Sequence, residues 1–300
     1  MKPLVIFHGT CPDGFVAAWV ADRALGGVEL YPGEYGKEPP YDLARGRDVY
    51  VVDFSYPKQQ ILQLHQVGGR KLVVLDHHKT AQEDLQFLLG SNLEIVFDMN
   101  RSGASIAWDY FHPGTPWPWI VSYVHDRDLR RFVLPHSKEI SLFLRTIPYK
   151  NDLPPLEEYD RLASTEFSTI FLLSQGCKRY LDHYIKDALR NVRLHDIYFE
   201  GGDPKNRHDG QVPNMVVTAC VNVSYTGVSD VLDAAIQKTG AAMALGWHVI
   251  ADGRFRCSLL SRSDFDCSQV ARGFGGGGHA QASGFYLAAD HHLARQLSGG

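Results

Sequence analysis

The stretch LVVLDHH, residues 72–78, carries the strongest fold signal in this sequence. Four consecutive aliphatic residues are typical of a strand that is buried on both faces, as strands of parallel sheets are. The carboxylate and two imidazoles that follow are costly to desolvate and have no packing role at the end of such a strand. The pattern predicts a buried strand with a chemical site at its carboxyl end.

Two further apolar runs end in the same way. Residues 4–7 precede His8, and residues 49–52 precede Asp53. An aspartate after a strand can also be a simple turn former or helix cap, so Asp53 alone would not be decisive. In an open parallel sheet, however, the carboxyl ends of neighbouring strands line one crevice. Carboxylates and imidazoles gathered there favour a bound cation, so we expect a metal site.

The chain as a whole fits an α/β fold with two domains and a helical connector between them. Apolar runs of strand length alternate with helix-period stretches over the first 125 residues, which is typical of a parallel sheet with crossover helices. We expect a catalytic domain at residues 1–150, a helical connector at 151–192 and a smaller mixed α/β substrate domain at 193–300. The connector contains a long amphipathic pattern at 167–192, and Asp252-Gly253 predicts a hairpin in the last part.

Composition excludes several classes of function. The 300 residues include 30 Lys plus Arg and 34 Asp plus Glu, a formal charge of −4, which argues against a cationic surface that wraps duplex DNA. Apolar stretches of about five to eight residues are too short for a bilayer span, and the start lacks the apolar core of a signal peptide. The five cysteines form no C-x-x-C pair, so neither a disulfide framework nor a zinc knuckle is indicated. We expect a cytoplasmic protein that does not bind membranes, and a homodimer is an open alternative for its assembly.

Five segments together resemble the motifs of the DHH phosphoesterases. This family includes the RecJ exonucleases, nanoRNases, cyclic-dinucleotide phosphodiesterases and family II inorganic pyrophosphatases. The resemblance covers most of the chain. The matching segments are residues 8–18, Asp53, residues 76–78, residues 124–129 and residues 275–284.

The last segment, GGGGHAQASG, is similar to the signature of the substrate domain found on nucleotide and nucleic-acid phosphodiesterases. It does not resemble the different second domain that the family II pyrophosphatases carry. The resemblance therefore implies a phosphodiester substrate.

The resemblance also implies roles for individual residues. Asp53 would bridge two ions, His78 would face the scissile phosphate, and Asp76 would orient the histidine pair. The fourth motif leaves Asp126 and Asp128 as alternatives, because residues two apart point in different directions on a helix or a strand. Of the two, Asp126 is favoured. The implied metal ligands are His8, Asp13, Asp53, His77 and Asp126, with Asp128 as the alternative.

The first motif departs from the family pattern. Relatives carry two aspartates there, whereas this chain has Cys11-Pro12-Asp13-Gly14. Cys11 could supply a thiolate in the place of the missing carboxylate, although soft sulfur matches Mn²⁺ and Mg²⁺ poorly. Otherwise one metal position is weakened.

Carboxylate and imidazole ligands suit Mn²⁺, with Mg²⁺, Co²⁺ or Zn²⁺ as substitutes. Two such ions about 3.5–4 Å apart can activate water and hold phosphate oxygens for in-line attack.

Substrate contacts are predicted at three places. A run of four glycines costs backbone entropy, so we expect it to allow close approach to a phosphate, with His279 as an additional donor. Arg262 matches a phosphate-binding arginine in the resemblance. Ser102 opens a helix whose free N–H groups could bind an anion, although it could equally be an ordinary helix cap. The predicted substrate-binding residues are Arg262, Gly276, Gly277, Gly278, His279 and Ser102.

Together these features predict a metal-dependent phosphodiesterase acting on short single-stranded oligonucleotides or small nucleotides. The same metals could instead serve a phosphomonoesterase or exopolyphosphatase. The missing carboxylate leaves open a third alternative, a catalytically silent nucleotide- or RNA-binding protein.

Overall fold

The computed structural model describes residues 1–9, 11–69, 71–88, 93–149, 153–199, 215–224, 226–262 and 264–299. The chain divides into two compact units, Met1–Lys178 and Arg179–Gly300. This division falls inside one long helix, and the predicted domain limits at 150 and 192 remain predictions.

The first unit is built on a five-stranded, all-parallel sheet. Its strands are β1 (Leu4–His8), β2 (Glu29–Gly33), β3 (Val49–Val52), β4 (Leu72–Asp76) and β5 (Glu94–Phe97), in the order β2-β1-β3-β4-β5. Its helices are α1 (Pro12–Leu25), α2 (Tyr41–Ala44), α3 (Lys58–Val67), α4 (Lys79–Leu85), α5 (Gly103–Phe111), α6 (Trp119–Asp128), α7 (Ser137–Leu144) and α8 (Leu156–Ala163). Helix α9 (Phe167–Ala188) contains the boundary between the units.

Alternate residues of each strand feed two separate apolar cores. Val5 and Phe7 of β1 pack with α1 and α5 on one face of the sheet. Leu4 and Ile6 pack on the other face with α3 and α4. Successive side chains of a strand point to opposite faces, so a sheet with both faces covered needs continuous apolar runs. This explains the runs that ended at His8, Asp53 and Asp76.

The second unit contains a six-stranded mixed sheet. Its elements are β6 (Arg193–Tyr198), β7 (Met215–Asn222), α10 (Val228–Thr239), β8 (Met243–Val249), β9 (Phe255–Ser261), α11 (Cys267–Gly273), β10 (Gly277–His279), β11 (Ala282–Leu287) and α12 (His292–Ser298). Only β7 and β8 run parallel among the paired strands, and the strand order is β10-β11-β9-β8-β7-β6. The predicted hairpin joins β8 to β9, and Gly253 adopts a φ of 84° in its turn.

The predicted α/β class, a parallel sheet followed by a mixed α/β unit, is confirmed. Within the described ranges, no helix combines the length and apolarity that a bilayer crossing requires.

Candidate metal centre

The sheet register places three motif residues side by side. Phe7 of β1 pairs with Val52 of β3, and Val52 pairs with Leu75 of β4. The residues that follow these three, His8, Asp53 and Asp76, therefore lie level at one edge of the sheet. This edge is the carboxyl end of the parallel strands, where ligand sites of open α/β sheets form.

Asp53 occupies the centre of this edge in an unusual backbone conformation. Its φ is 53°, in the left-handed region that residues other than glycine, asparagine and aspartate rarely adopt. The side chain is 1% exposed, and helix α5 approaches it so closely that a Cβ on Gly103 would lie 2.3 Å from Asp53 Cβ. The carboxylate is therefore held between the sheet and the first residue of α5.

Asp13 is held by the same helix. Its two carboxylate oxygens accept hydrogen bonds from the backbone N–H groups of Gly103 (2.6 Å) and Ala104 (3.0 Å). A helix N-terminus stabilises negative charge because its first N–H groups have no partner within the helix. The N-terminus of α5 therefore binds the carboxylate of Asp13.

Ser102 caps helix α5, and its contact with substrate stays a prediction. It is fully buried, and its hydroxyl accepts from the backbone N–H of Ser105 at 3.4 Å. The alternative interpretation, an ordinary N-cap, describes this position.

His77 connects three carboxylates. Its Nε2 atom lies 3.1 Å from Asp53 Oδ1, 3.5 Å from Asp128 Oδ2 and 3.8 Å from Asp13 Oδ2. The 3.1 Å approach lacks hydrogen-bond alignment, and Asp53 Oδ1 has no hydrogen-bond donor among the described residues. A buried carboxylate oxygen without a donor is costly, and a cation is one way to satisfy it.

A second group of donor atoms surrounds the other oxygen of Asp53. Asp53 Oδ2 accepts a hydrogen bond from the Cys11 thiol at 3.2 Å and lies 3.7 Å from His8 Nδ1. Cys11 Sγ and His8 Nδ1 are 3.4 Å apart. Asp53 therefore has one oxygen facing each group, an arrangement suited to a bridging carboxylate.

Helix α6 places the side chains of Asp126 and Asp128 in different surroundings. Asp126 accepts from the backbone N–H groups of Val133 (3.0 Å) and Leu134 (3.3 Å), so its carboxylate anchors the loop after the helix. Asp128 lies in the cluster with Asp13 and His77. Residues i and i+2 of a helix are separated by about 200° around its axis, so only one of these two aspartates can face the sheet edge.

Crowding of like charges shifts the pKa values of the cluster. Burial, with the charges of Asp53 and Asp128, raises the pKa of Asp13 well above its usual value. Burial and the Asp53 charge likewise raise the pKa of Asp128. For Asp53, burial alone would raise the pKa, but the imidazoles of His77 and His8 outweigh it and lower the pKa. Burial and nearby carboxylates also raise the pKa of the Cys11 thiol.

His78 and Asp76 form a separate pair beside the cluster. His78 Nδ1 lies 2.7 Å from Asp76 Oδ1, and this oxygen also accepts from the backbone N–H of His77 at 2.7 Å. Burial would lower the pKa of His78, but the hydrogen bond to Asp76 outweighs this and raises the pKa. Asp76 therefore orients the ring and favours its cationic form.

The predicted substrate residues of the second unit lie in and beside the β10–β11 hairpin. Gly276 and Gly278 approach β11, since added Cβ atoms would lie 2.1 Å from Gly284 O and 2.6 Å from Ser283 Cα, respectively. The close approach inferred from the glycine run is therefore to this chain's own strand. Only Gly277 of the three faces open space.

His279 is exposed on β10, and the half-exposed Arg262 has its Nε 3.8 Å from Asp264 Oδ1. Phosphate binding by these residues stays a prediction.

Three side chains near the cluster were missed by the sequence analysis. Tyr35 is 57% exposed, and its ring centroid lies 5.5 Å from that of His8 and 6.2 Å from that of His78. Arg127 and Arg145 line a cavity of about 140 Å³ that is also lined by Asp13, Asp128 and Cys11. Arg127 lies inside the motif segment 124–129, although the motif gives it no role. No local motif marks Tyr35 or Arg145, because the loop after β2 and the end of α7 bring them to the site only through tertiary packing.

The donor set fits a divalent cation. Three overlapping groups each bring three potential ligand atoms within 4.8 Å of one another. Asp53 links the group of His8 and Cys11 to that of His77 and His78, and His77 links the latter to the group of Asp13 and Asp128. Imidazole and carboxylate donors suit Mn²⁺, Co²⁺ and Zn²⁺.

Comparisons with known proteins agree with this architecture. No family model matches the chain. The uncharacterized protein R106 of Acanthamoeba polyphaga mimivirus is 27% identical over 306 residues, which cover 94% of this chain and 66% of that protein.

Several solved structures are similar. The pGpG-specific phosphodiesterase PggH of Vibrio cholerae matches all of the chain and 99% of its own, with a TM-score of 0.55 and 12% identity. An exopolyphosphatase-related protein of Bacteroides fragilis matches 99% of the chain and 91% of its own, with a TM-score of 0.53 and 12% identity. RecJ of Thermus thermophilus, in complex with Mn²⁺, matches 99% of the chain but 51% of its own, with a TM-score of 0.50 and 15% identity. This chain therefore has the DHH-type phosphoesterase fold.

Proposed function

We propose that this protein is a divalent-metal-dependent phosphodiesterase that hydrolyses short oligonucleotides or small nucleotides. The observation that carries the proposal is the buried Asp53, which has an oxygen without a hydrogen-bond donor and lies between two groups of ligating atoms. The shared fold with a pGpG-specific phosphodiesterase and RecJ supports the same class of activity.

Five side chains would hold the ions, with Mn²⁺ as the expected metal. Ions at this place would polarise phosphate oxygens and make water a stronger nucleophile at neutral pH. Asp53 would contribute one oxygen to each position. The proposed ligands are His8, Asp13, Asp53, His77 and Asp128, and the last of these replaces Asp126.

His78 is proposed as the proton donor to the leaving oxygen. A carboxylate oxygen accepts hydrogen bonds, so the contact with Asp76 leaves the proton on His78 Nδ1 and the Nε2 side of the ring available. Because the pKa of His78 is raised, a larger fraction of the ring is cationic near neutral pH. Such a group can neutralise charge as the leaving oxygen departs.

Tyr35 favours a nucleotide over polyphosphate as the substrate. An exposed aromatic ring beside the cluster can stack on a base, and polyphosphate offers no base. The cavity with Arg127 and Arg145 adds positive charge for a second phosphate group. Both features suit a small, phosphate-bearing nucleotide.

The test uses chelator-treated protein with and without added Mn²⁺. The substrates are a 5′-phosphorylated dinucleotide, a cyclic dinucleotide, a 3′,5′-bisphosphate nucleotide and polyphosphate, with products separated by chromatography. We expect Mn²⁺-dependent cleavage of the phosphodiesters. Turnover of polyphosphate alone would support the exopolyphosphatase alternative, and tight nucleotide binding without metal or turnover would support the silent binding protein.

A paired substitution connects turnover to the cluster. Asp53→Asn keeps a residue that tolerates the left-handed backbone but removes the charge. We expect its turnover to fall by more than about 100-fold, the upper range of losses for outer-shell metal partners. Asp42→Asn removes a fully exposed carboxylate and is the matched control, with wild-type turnover expected. Full activity of Asp53→Asn would refute the proposal.

A further inference from the structure

We infer that Cys11 is a metal ligand and that His8, Cys11 and Asp53 form a position selective for a thiophilic divalent ion such as Zn²⁺. The inference rests on the proposed metal cluster and deepens it. It makes the two metal positions chemically different, one with sulfur and one with nitrogen and oxygen donors only.

The three donor atoms form a compact triangle. Its edges are 3.2 Å from Cys11 Sγ to Asp53 Oδ2, 3.4 Å from Cys11 Sγ to His8 Nδ1, and 3.7 Å from His8 Nδ1 to Asp53 Oδ2. Ligands bound tetrahedrally to zinc at 2.0–2.3 Å are about 3.3–3.6 Å apart. The three observed edges lie within about 0.1 Å of this range, so one small ion fits between these ligand atoms.

A set of three protein ligands is typical of catalytic zinc sites, in which the fourth place belongs to water or substrate. Thiolate combined with imidazole selects zinc-like ions over Mn²⁺ and Mg²⁺, which prefer oxygen. By contrast, the other position is formed by Asp13, His77 and Asp128, with Asp53 Oδ1 beside it. It contains no sulfur and suits Mn²⁺.

Helix capping does not by itself account for sulfur at this position. Cys11 is the N-cap of α1, and its Sγ accepts from the backbone N–H of Gly14 at 3.3 Å. Serine, threonine, aspartate and asparagine are better caps than cysteine.

The independent observation that points to a ligand is Asp53. This residue is 1% exposed, and its Oδ1, which faces the other position 3.1 Å from His77 Nε2, has no hydrogen-bond donor among the described residues. Its Oδ2 accepts a hydrogen bond from the Cys11 thiol and completes the triangle with His8. A buried carboxylate between two sets of donors, one containing sulfur, is the arrangement expected for two different ions that share a bridge.

The test is titration of the metal-free full-length protein with Co²⁺, followed by absorption spectroscopy. A thiolate bound to Co²⁺ gives a near-ultraviolet charge-transfer band. We expect this band in the wild type, its loss in Cys11→Ser and its retention in Cys177→Ser, which changes a half-buried cysteine of α9. Circular dichroism of each variant verifies the fold.

A second variant tests selectivity by competition binding. Cys11→Asp replaces sulfur by a carboxylate, so we expect the affinity for Mn²⁺ relative to Zn²⁺ to rise by about 10-fold or more. An unchanged ratio would overturn the inference.

The outcomes separate the inference from the proposed function. Binding of Co²⁺ without the band, or a band that survives Cys11→Ser, would refute the role of Cys11 and leave the metal cluster intact. Failure of Co²⁺, Zn²⁺ and Mn²⁺ to bind at all would refute both.

Discussion

At the scale of single residues, Asp53 fits at the sheet edge because its neighbour Gly103 has no Cβ atom. Gly103 begins helix α5, and any side chain there would meet Asp53 Oδ1 at 2.6 Å as well as its Cβ. Asp53 itself holds a left-handed backbone conformation. Strained conformations of this kind persist where surrounding packing imposes them, and they cluster at functional sites.

Gly103→Ala should therefore damage both stability and metal binding. The added methyl group must displace α5 or Asp53, and overpacking of this kind costs about 1–3 kcal/mol. Urea unfolding in the presence of a chelator measures the first effect, and Mn²⁺ titration by calorimetry measures the second.

Gly176→Ala is the matched control for this substitution. Its Cβ would meet nothing within 4 Å inside α9, so stability should be unchanged or rise by up to about 1 kcal/mol. Equal behaviour of the two variants would contradict the packing explanation.

At the scale of elements, α6 brings one aspartate to the metal cluster and uses another to hold a loop. Sequence alone could not decide between them, because both lie within one helical turn and nothing local marks which face meets the sheet. Tertiary packing decides it: Asp126 satisfies backbone N–H groups of the following loop, and Asp128 reaches His77.

Alanine substitutions at these two positions should have opposite consequences. Asp126→Ala leaves the N–H groups of Val133 and Leu134 without their acceptor, which costs about 1–3 kcal/mol of unfolding free energy. Asp128→Ala should change stability by less than about 0.5 kcal/mol but weaken Mn²⁺ binding by at least about 10-fold. Denaturant unfolding and metal titration of both variants test this. Mn²⁺ binding of wild-type strength by Asp128→Ala would contradict Asp128 as the ligand and support Asp126 instead.

The contact between α6 and α5 also predicts a dependence of stability on pH. The ring nitrogens of His125 lie near two donors, the backbone N–H of Ser102 at 3.3 Å and the guanidinium of Arg131 at 3.2 Å. Burial, followed by the charges of Arg131 and Arg101, lowers the pKa of His125. The neutral ring is thus favoured in the folded protein.

A lowered histidine pKa stabilises the fold above the unfolded-state pKa of about 6.5 and loses this contribution as the pH falls. The stability advantage of the wild type over His125→Gln should therefore shrink between pH 7.5 and pH 5.5. Chelator in every sample removes metal effects, and His183→Gln, an exposed histidine of α9, serves as the control. An advantage that grows on acidification would contradict this prediction.

At the scale of the whole molecule, all the proposed ligands belong to the first unit, Met1–Lys178. A ligand stabilises the folded state to which it binds, by about 2.7 kcal/mol at 100 times its Kd. The second unit has its own apolar core and none of these ligands.

Hydrogen exchange should show where Mn²⁺ acts. Adding Mn²⁺ to the chelated protein should slow exchange at the carboxyl ends of β1, β3 and β4 and at the start of α5. Exchange in the sheet formed by β6–β11 should be unchanged. Protection confined to β6–β11 would place the metal elsewhere and contradict the assignment.

The sequence by itself determined the parallel sheet and the edge at which the site forms. Continuous apolar runs define strands buried on both faces, and the polar residue after each run must then lie at the carboxyl end of its strand. That inference is local, so the position of His8, Asp53 and His77 at this edge could be predicted. Tertiary structure decided what depends on the packing of distant helices and loops: Asp128 faces the cluster, α5 holds Asp13 and buries Ser102, and Tyr35 stands beside the site. The glycines of β10 show the same division, because a run of residues without side chains indicates a close approach but only the folded chain reveals that β11 is the partner.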